Sequence, residues 1–190
     1  AITEIERSAR SRAELDCNRV VVEQALGHVV IKSETVGCQK IVVQVRHRVL
    51  LSVPRTVDLS IHGVSGPLNI GEIEGALRIS GNSGTIELTQ PGRRSIISGN
   101  QGTTTIKIRQ LDPRGLELSG NSGPIKLNIA DGSNIDVNVR RLSGTISSEL
   151  PSVKVIKTGD SDYYARIGYG GPTIYVLGNS GSVLLSRYRE

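Results

Sequence analysis

The words SGNSGTIEL (residues 80–88), SGNQGTTTIKI (98–108), SGNSGPIKL (119–127) and GNSGSVLL (178–185) are near copies of one another. Weaker copies are VSGPLNI (64–70) and LSGTISS (142–148). The last glycine of each copy falls at Gly66, Gly84, Gly102, Gly123, Gly144 and Gly181, at intervals of 18, 18, 21, 21 and 37 residues. A half-period is also visible, because Gly66, Gly75 and Gly84 each open a short alternating run, GPLNI, GALRI and GTIEL. Leu68 and Ile70, Leu77 and Ile79, and Ile86 and Leu88 alternate with polar residues, which is the period of a strand with one face inward. One repeat thus holds two short strands and two turns. It is too short for a strand–helix–strand unit, which needs about 30 residues.

Identical words recurring once per two strands predict an all-β chain, a right-handed parallel β-solenoid with two short strands per coil of 18–21 residues. Each coil is expected to stack on the one before it, giving roughly seven coils over residues 54–190. LDPRG (111–115) and VRRLSG (139–144) are the expected three-residue insertions. Gly and Asn accept the positive φ of a sharp reversal. Stacking would align Asn82, Asn100, Asn121 and Asn179, whose amides would hydrogen-bond as a structural turn ladder.

Residues 1–53 lack the repeated word. Strands are expected at 15–23, 26–33 and 41–51, forming irregular first coils or a cap continuous with the solenoid, in one domain overall. AITEIERSARSRA (1–13) suits either a short capping helix or an edge strand. Cys17 and Cys38 admit two readings. One is a disulfide closing a loop of about 20 residues, worth ~3 kcal/mol in an exported protein. The other is a pair of small buried thiols.

Composition agrees with the repeat. The 190 residues include 19 Val, 20 Ile and 17 Leu against 7 Ala, with no Phe, Trp or Met. That excludes a helical bundle and favours a narrow interior filled by branched aliphatics. The net charge of +5 is spread evenly, with 8 basic and 6 acidic residues in 1–53 and 10 and 9 in 54–150. No basic block or interleaved aromatics mark a nucleic-acid surface, and no apolar run reaches the ~18 residues of a membrane span. The chain opens on Ala1 rather than Met, which fits a processed N-terminus as well as a trimmed one.

The chain resembles a family of bacterial cell-envelope β-solenoid proteins that carry the name adhesin by analogy of fold. Three features carry the resemblance, which spans about residues 15–188. They are the strand leading into Val53–Pro54 and on through 57–61, the run of S-G-x-x-G-x-I-x-L words, and the ending IGYGGPTIYVLGNSGSVLL (167–185). It implies an exported location, periplasmic, cell-surface or extracellular. The family has no catalytic motif to carry over, and fold does not fix function.

Chemistry-bearing residues are sparse. GNSGP (120–124) is like a serine-protease nucleophile loop, but His28, His47 and His62 lie in no catalytic context and the word recurs four times, as a turn would. Calcium-binding β-rolls need aspartates at the turns, where this chain has Asn and Ser. GDSDY (159–163) is the one acidic loop suited to a weak ion. Arg78, Glu87, Lys107, Glu117 and Lys126 alternate in sign and are expected to form solvated ladders of opposite charge. No cofactor or metal is expected.

All five tyrosines fall in the last 28 residues. Tyr163, Tyr164, Tyr169 and Tyr175 are therefore either a contact patch or a plug over the C-terminal end of the solenoid. The sequence points to a non-enzymatic adhesin-like or structural protein whose partner is a glycan or a surface protein. The alternatives are end-to-end self-association into oligomers and, more remotely, a carbohydrate-active enzyme.

Overall fold

The computed structural model describes residues 2–25, 28–36 and 45–188. The protein is all-β, with 18 strands and one short helix among the described residues. The chain divides into two compact units, Ala1–Pro54 and Arg55–Glu190.

The first unit holds β1 (Ile2–Ser8), α1 (Arg12–Cys17), β2 (Asn18–Ala25), β3 (His28–Thr35) and β4 (Arg46–Ser52). The strands form two antiparallel ribbons, β1 with β4 and β2 with β3. The ambiguous N-terminal stretch is a strand running into a helix start. Ser11 caps α1 by accepting the Glu14 N–H, and the Glu14 carboxylate accepts the Arg10 N–H. Cys17 is buried and is not a free thiol. Cys38, the other half of the expected disulfide, lies outside the described residues.

The second unit is a pair of sheets that share out alternate strands, a β-helix-like arrangement. One sheet contains β5 (Leu59–His62), β7 (Leu77–Ser80), β9 (Ser95–Ser98) and β11 (Leu116–Ser119). The other contains β6 (Leu68–Ile70), β8 (Ile86–Thr89), β10 (Thr104–Ile108) and β12 (Ile125–Ile129). Neighbours within each series are parallel, with equivalent repeat residues in register. The inward residues form aliphatic columns. Ile61, Ile79, Ile97 and Leu118 make one, and Ile70, Leu88, Ile106 and Leu127 make another. Each column repeats one slot every ~4.8 Å, so a ring at any level would displace the levels above and below. Two columns are interrupted at one level, where Ser95 and Thr104 are fully buried. The Thr104 hydroxyl accepts from Asn100 Nδ2 at 2.8 Å.

Sequence-order stacking fails beyond β12. The next strands are β13 (Ile135–Arg140), β14 (Ile146–Ser148), β15 (Val155–Lys157), β16 (Tyr163–Ile167), β17 (Thr173–Leu177) and β18 (Val183–Arg187). β17 lies between β11 and β13, and β18 lies between β12 and β14. The last two strands are therefore interior to both sheets. β16 pairs antiparallel with β13 and β15. The sheets are eight-stranded (β15-β16-β13-β17-β11-β9-β7-β5) and six-stranded (β14-β18-β12-β10-β8-β6).

This order places the four strong words side by side and the two weak ones at the ends. Asn82 Nδ2 donates to Asn100 Oδ1 at 2.9 Å, the Asn100 N–H to Asn121 Oδ1 at 2.8 Å, and the Asn121 N–H to Asn179 Oδ1 at 2.5 Å. All four asparagines are buried. Val64 stands at the corresponding position of one weak word and the buried Leu142 at that of the other. The two glycines of the word do different work. The first takes a positive φ, +65° at Gly99. The second lets levels approach, because a Cβ on Gly123 would lie 2.1 Å from the Gly102 carbonyl oxygen.

Between β16 and β17 the chain must pass over the start of β13, through Gly168-Tyr169-Gly170-Gly171. The passage is close, since a Cβ on Gly171 would lie 2.6 Å from the Asn134 carbonyl oxygen. Asn134 Oδ1 accepts the Tyr169 N–H at 2.8 Å and Asp136 Oδ2 accepts the Gly171 N–H at 3.1 Å. These bonds fix the crossing loop and leave the Tyr169 side chain in solvent, 95% exposed.

Candidate functional site

The outer faces of the two sheets differ. Across the eight-stranded sheet one register row reads Ile156, Tyr164, Asn138, Tyr175, Glu117, Ile96, Arg78, Ser60. The matching row on the six-stranded sheet reads Ser147, Leu184, Lys126, Thr105, Glu87, Asn69. The first row carries two aromatic rings and two large aliphatics; the second carries one leucine. Ile156 is 54% exposed and Tyr175 44%.

The tyrosines do not act as one group. Tyr163 faces inward and packs against the core. Tyr164 points outward and is tethered, its hydroxyl donating to Asp136 Oδ1 at 2.5 Å with Arg166 stacked 5.7 Å from its ring centre. Asp136 also accepts from Arg166 Nε at 3.1 Å. Its carboxyl is held below the usual range by the Tyr164 hydroxyl first, with the Gly171 N–H and Arg166 adding to it. The same bond pushes the Tyr164 phenol up. Tyr175 is the open ring. It stands mid-sheet between Asn138 and Glu117, so it does not cover an end of the stack. Tyr188 is on the other sheet's side, with Lys107 Nζ 5.9 Å from its ring centre.

The expected charge ladder does not form. Arg78 and Glu117 share a row but Ile96 separates them, and Thr105 separates Glu87 from Lys126. Like-faced charges two strands apart are roughly 9.6 Å from one another, and no ion pair joins these five among the described residues.

A shallow groove of about 320 Å³ opens on this face across β9, β11 and β17. Arg94, one residue before Ser95, and Arg114, two residues before its register partner Leu116, form its rim. Ile96, Glu117 and Tyr175 form its floor. The tyrosines drew the reading to this sheet, but Ile96, Arg94 and Arg114 went unread. Ile96 was detectable, because SIIS puts an isoleucine where the neighbouring copies carry Arg78 and Glu117.

The remaining candidates stay apart. Ser122 of GNSGP is a turn residue whose N–H donates to the Asn100 carbonyl at 2.9 Å. His62 contacts Ser60 Oγ at 3.0 Å and Ser80 Oγ on its other nitrogen, with no carboxylate behind it among the described residues. His47 is pulled down by burial, with Arg7 adding to it. In the acidic loop, Asp162 Oδ1 accepts the Arg141 N–H at 2.9 Å. No cluster of three metal-ligating side chains occurs among the described residues, and no described helix is long and apolar enough to cross a membrane.

The fold and this face define an all-β protein whose two sheets are built mostly of parallel strands, with a partly aromatic outer surface on one of them. The chain matches no family model, no curated protein and no solved structure.

Proposed function

We propose that this chain is a non-enzymatic, adhesin-like or structural protein of the bacterial cell envelope, exported and built as a right-handed β-solenoid that presents one rigid face for contact. The observation that carries the reading is the outward row of Ile156, Tyr164, Tyr175 and Ile96 on the eight-stranded sheet. Apolar and aromatic side chains held on a stiff sheet lose little entropy when a partner covers them. Flat rings flanked by polar groups suit sugars and protein surfaces alike. Glycan-array and whole-cell binding test it. Binding is expected to weaken with Tyr175→Ala and to persist with Leu184→Ala on the opposite sheet. Equal binding by both variants would remove the face from consideration.

A second reading is end-to-end association. The outermost strands of both sheets, β5 and β6 at one side and β14 and β15 at the other, have open edges within the second unit. Their inward residues Leu59, Ile61, Leu68, Ile70, Ile146 and Val155 are only partly buried. Open edges are templates for further pairing. Light scattering is expected to show growth with concentration, and a constant monomeric mass would remove this reading.

A further inference from the structure

We infer that the groove formed by Arg94, Arg114, Glu117 and Tyr175 binds a carboxylated saccharide of the uronic-acid type. The inference rests on the contact-face reading above and assigns the ligand class of that face.

Arg94 and Arg114 are exposed, line the same groove at the starts of β9 and β11, and have no carboxylate partner among the described residues. Arg55, Arg93, Arg109, Arg166 and Arg187 of this unit are each held by a carboxylate, whereas Arg94 and Arg114, like Arg78, Arg140 and Arg141, form no ion pair among the described residues; of these five only Arg94 and Arg114 line the groove. Two unpaired guanidinium groups lining one groove give it a positive potential that attracts an anion. Their planar forks match the two oxygens of a carboxylate.

The floor narrows the class. Glu117 lies between Ile96 and Tyr175 and has no hydrogen-bond donor of its own among the described residues. A carboxylate only accepts, so it wants O–H or N–H groups from the ligand. It would repel a bare polyanion. Phosphodiester chains offer no donors on their charged edge, and an acidic peptide brings carboxylates with few hydroxyls. A uronic acid brings one carboxylate for the arginines and hydroxyl donors for Glu117 on the same ring. Tyr175, with its face partly open and nothing bonded to its hydroxyl among the described residues, supplies the flat surface on which such a ring stacks. Gly115 keeps the floor low between the arginines and the tyrosine, where its φ is +77° and a Cβ would lie 2.3 Å from the Thr173 carbonyl oxygen.

The test is calorimetric titration of the full chain with oligogalacturonate, methyl-esterified oligogalacturonate and poly-glutamate. Oligogalacturonate is expected to bind, and its ester to bind about tenfold or more weakly, because the charge-assisted bonds to Arg94 and Arg114 are lost. Arg94→Ala/Arg114→Ala and Tyr175→Ala should each cost about tenfold, Tyr175→Phe should bind like the native chain, and Lys107→Ala/Lys126→Ala on the other sheet should change nothing. All five side chains are at the surface, and circular dichroism checks that each variant is folded. Poly-glutamate binding as tightly as oligogalacturonate, or equal losses from the lysine and arginine variants, would mean diffuse charge attraction and overturn the assignment. So would silence toward oligogalacturonate in a protein that binds other glycans or cells through Tyr175, an outcome that leaves the contact-face reading intact. Silence toward every glycan and cell surface would overturn both.

Discussion

The backbone N–H of Asn121 donates to Oδ1 of Asn179 at 2.5 Å, although 58 residues separate them. That bond marks where the last strands enter the sheets. Of the residues between the two asparagines, 135–167 form β13 to β16 and lie to one side, while β17 and β18 return to sit against β11 and β12. The level that closes the chain is thus structurally central. Its formation must wait for a long excursion, the kind of contact that slows folding.

A prediction about glycine follows from that position. A Cβ on Gly181 would lie 2.1 Å from the Gly123 carbonyl oxygen, inside the stack, whereas a Cβ on Gly66 meets nothing within 4 Å. Gly181→Ala should cost about 3 kcal/mol or more, because backbone on both sides must move. Gly66→Ala should fall within about 0.5 kcal/mol of the native chain. Urea unfolding measures both. A mild Gly181→Ala would mean that the last strands dock loosely and unfold by themselves.

The strands of the repeated words, their inward faces and the asparagine alignment were readable from the repeat, since period-2 alternation and a recurrent turn word record purely local requirements; β15 and β16, which carry no copy of the word, were not. The level order was not read, yet the sequence held a clue. Four words carry Asn and two carry Val64 or Leu142 in its place. An amide ladder favours unbroken neighbours, so the Asn words belong together and the apolar ones at the ends. Reading in chain order set 142–148 between 119–127 and 178–185 and hid this. The groove was harder to see. Arg94 and Arg114 are turn residues outside the repeated word, and only the pairing of β9 with β11 brings them to one groove.

The ladder's open end gives a second prediction. Asn82 is 1% exposed, and its Oδ1 lacks a donor because Val64 occupies the next level. A buried acceptor left unpaired costs about 1–3 kcal/mol. In Val64→Asn the new amide can donate to Asn82 as Asn82 Nδ2 donates to Asn100. Val64 is only partly buried, so its loss offsets part of the gain, and a net stabilisation of about 1 kcal/mol is expected. Val64→Ala, which loses the same packing without adding a donor, should be destabilising. If both variants lower the denaturation midpoint alike, the orphan acceptor is not limiting at that end.

Acid should loosen the crossing loop selectively. Asp136 collects the Tyr164 hydroxyl, Arg166 Nε and the Gly171 N–H, and these donors hold its carboxyl below the ordinary value of 3.8. A carboxyl lowered by folding contributes stability above its unfolded pKa, and that contribution is lost as pH falls through the lower folded value. The difference between the native chain and Asp136→Asn should therefore be constant from pH 7 down to about pH 4.5, since protonation of the unfolded chain only begins there. It should then shrink as pH falls through 3.8, where the unfolded chain takes up a proton that the native carboxyl does not yet bind, and level off once the native carboxyl is protonated as well. At pH 7 Asp136→Asn should cost about 1–2 kcal/mol and speed amide exchange at Tyr169 and Gly171, whose N–H groups report the loop directly. Asp131→Asn is the control. Asp131 is lowered too, by Arg187, but the pair is exposed and should contribute little. Equal effects of the two substitutions, or a gap for Asp136→Asn that does not close in acid, would mean that the Asp136 charge does not hold the loop.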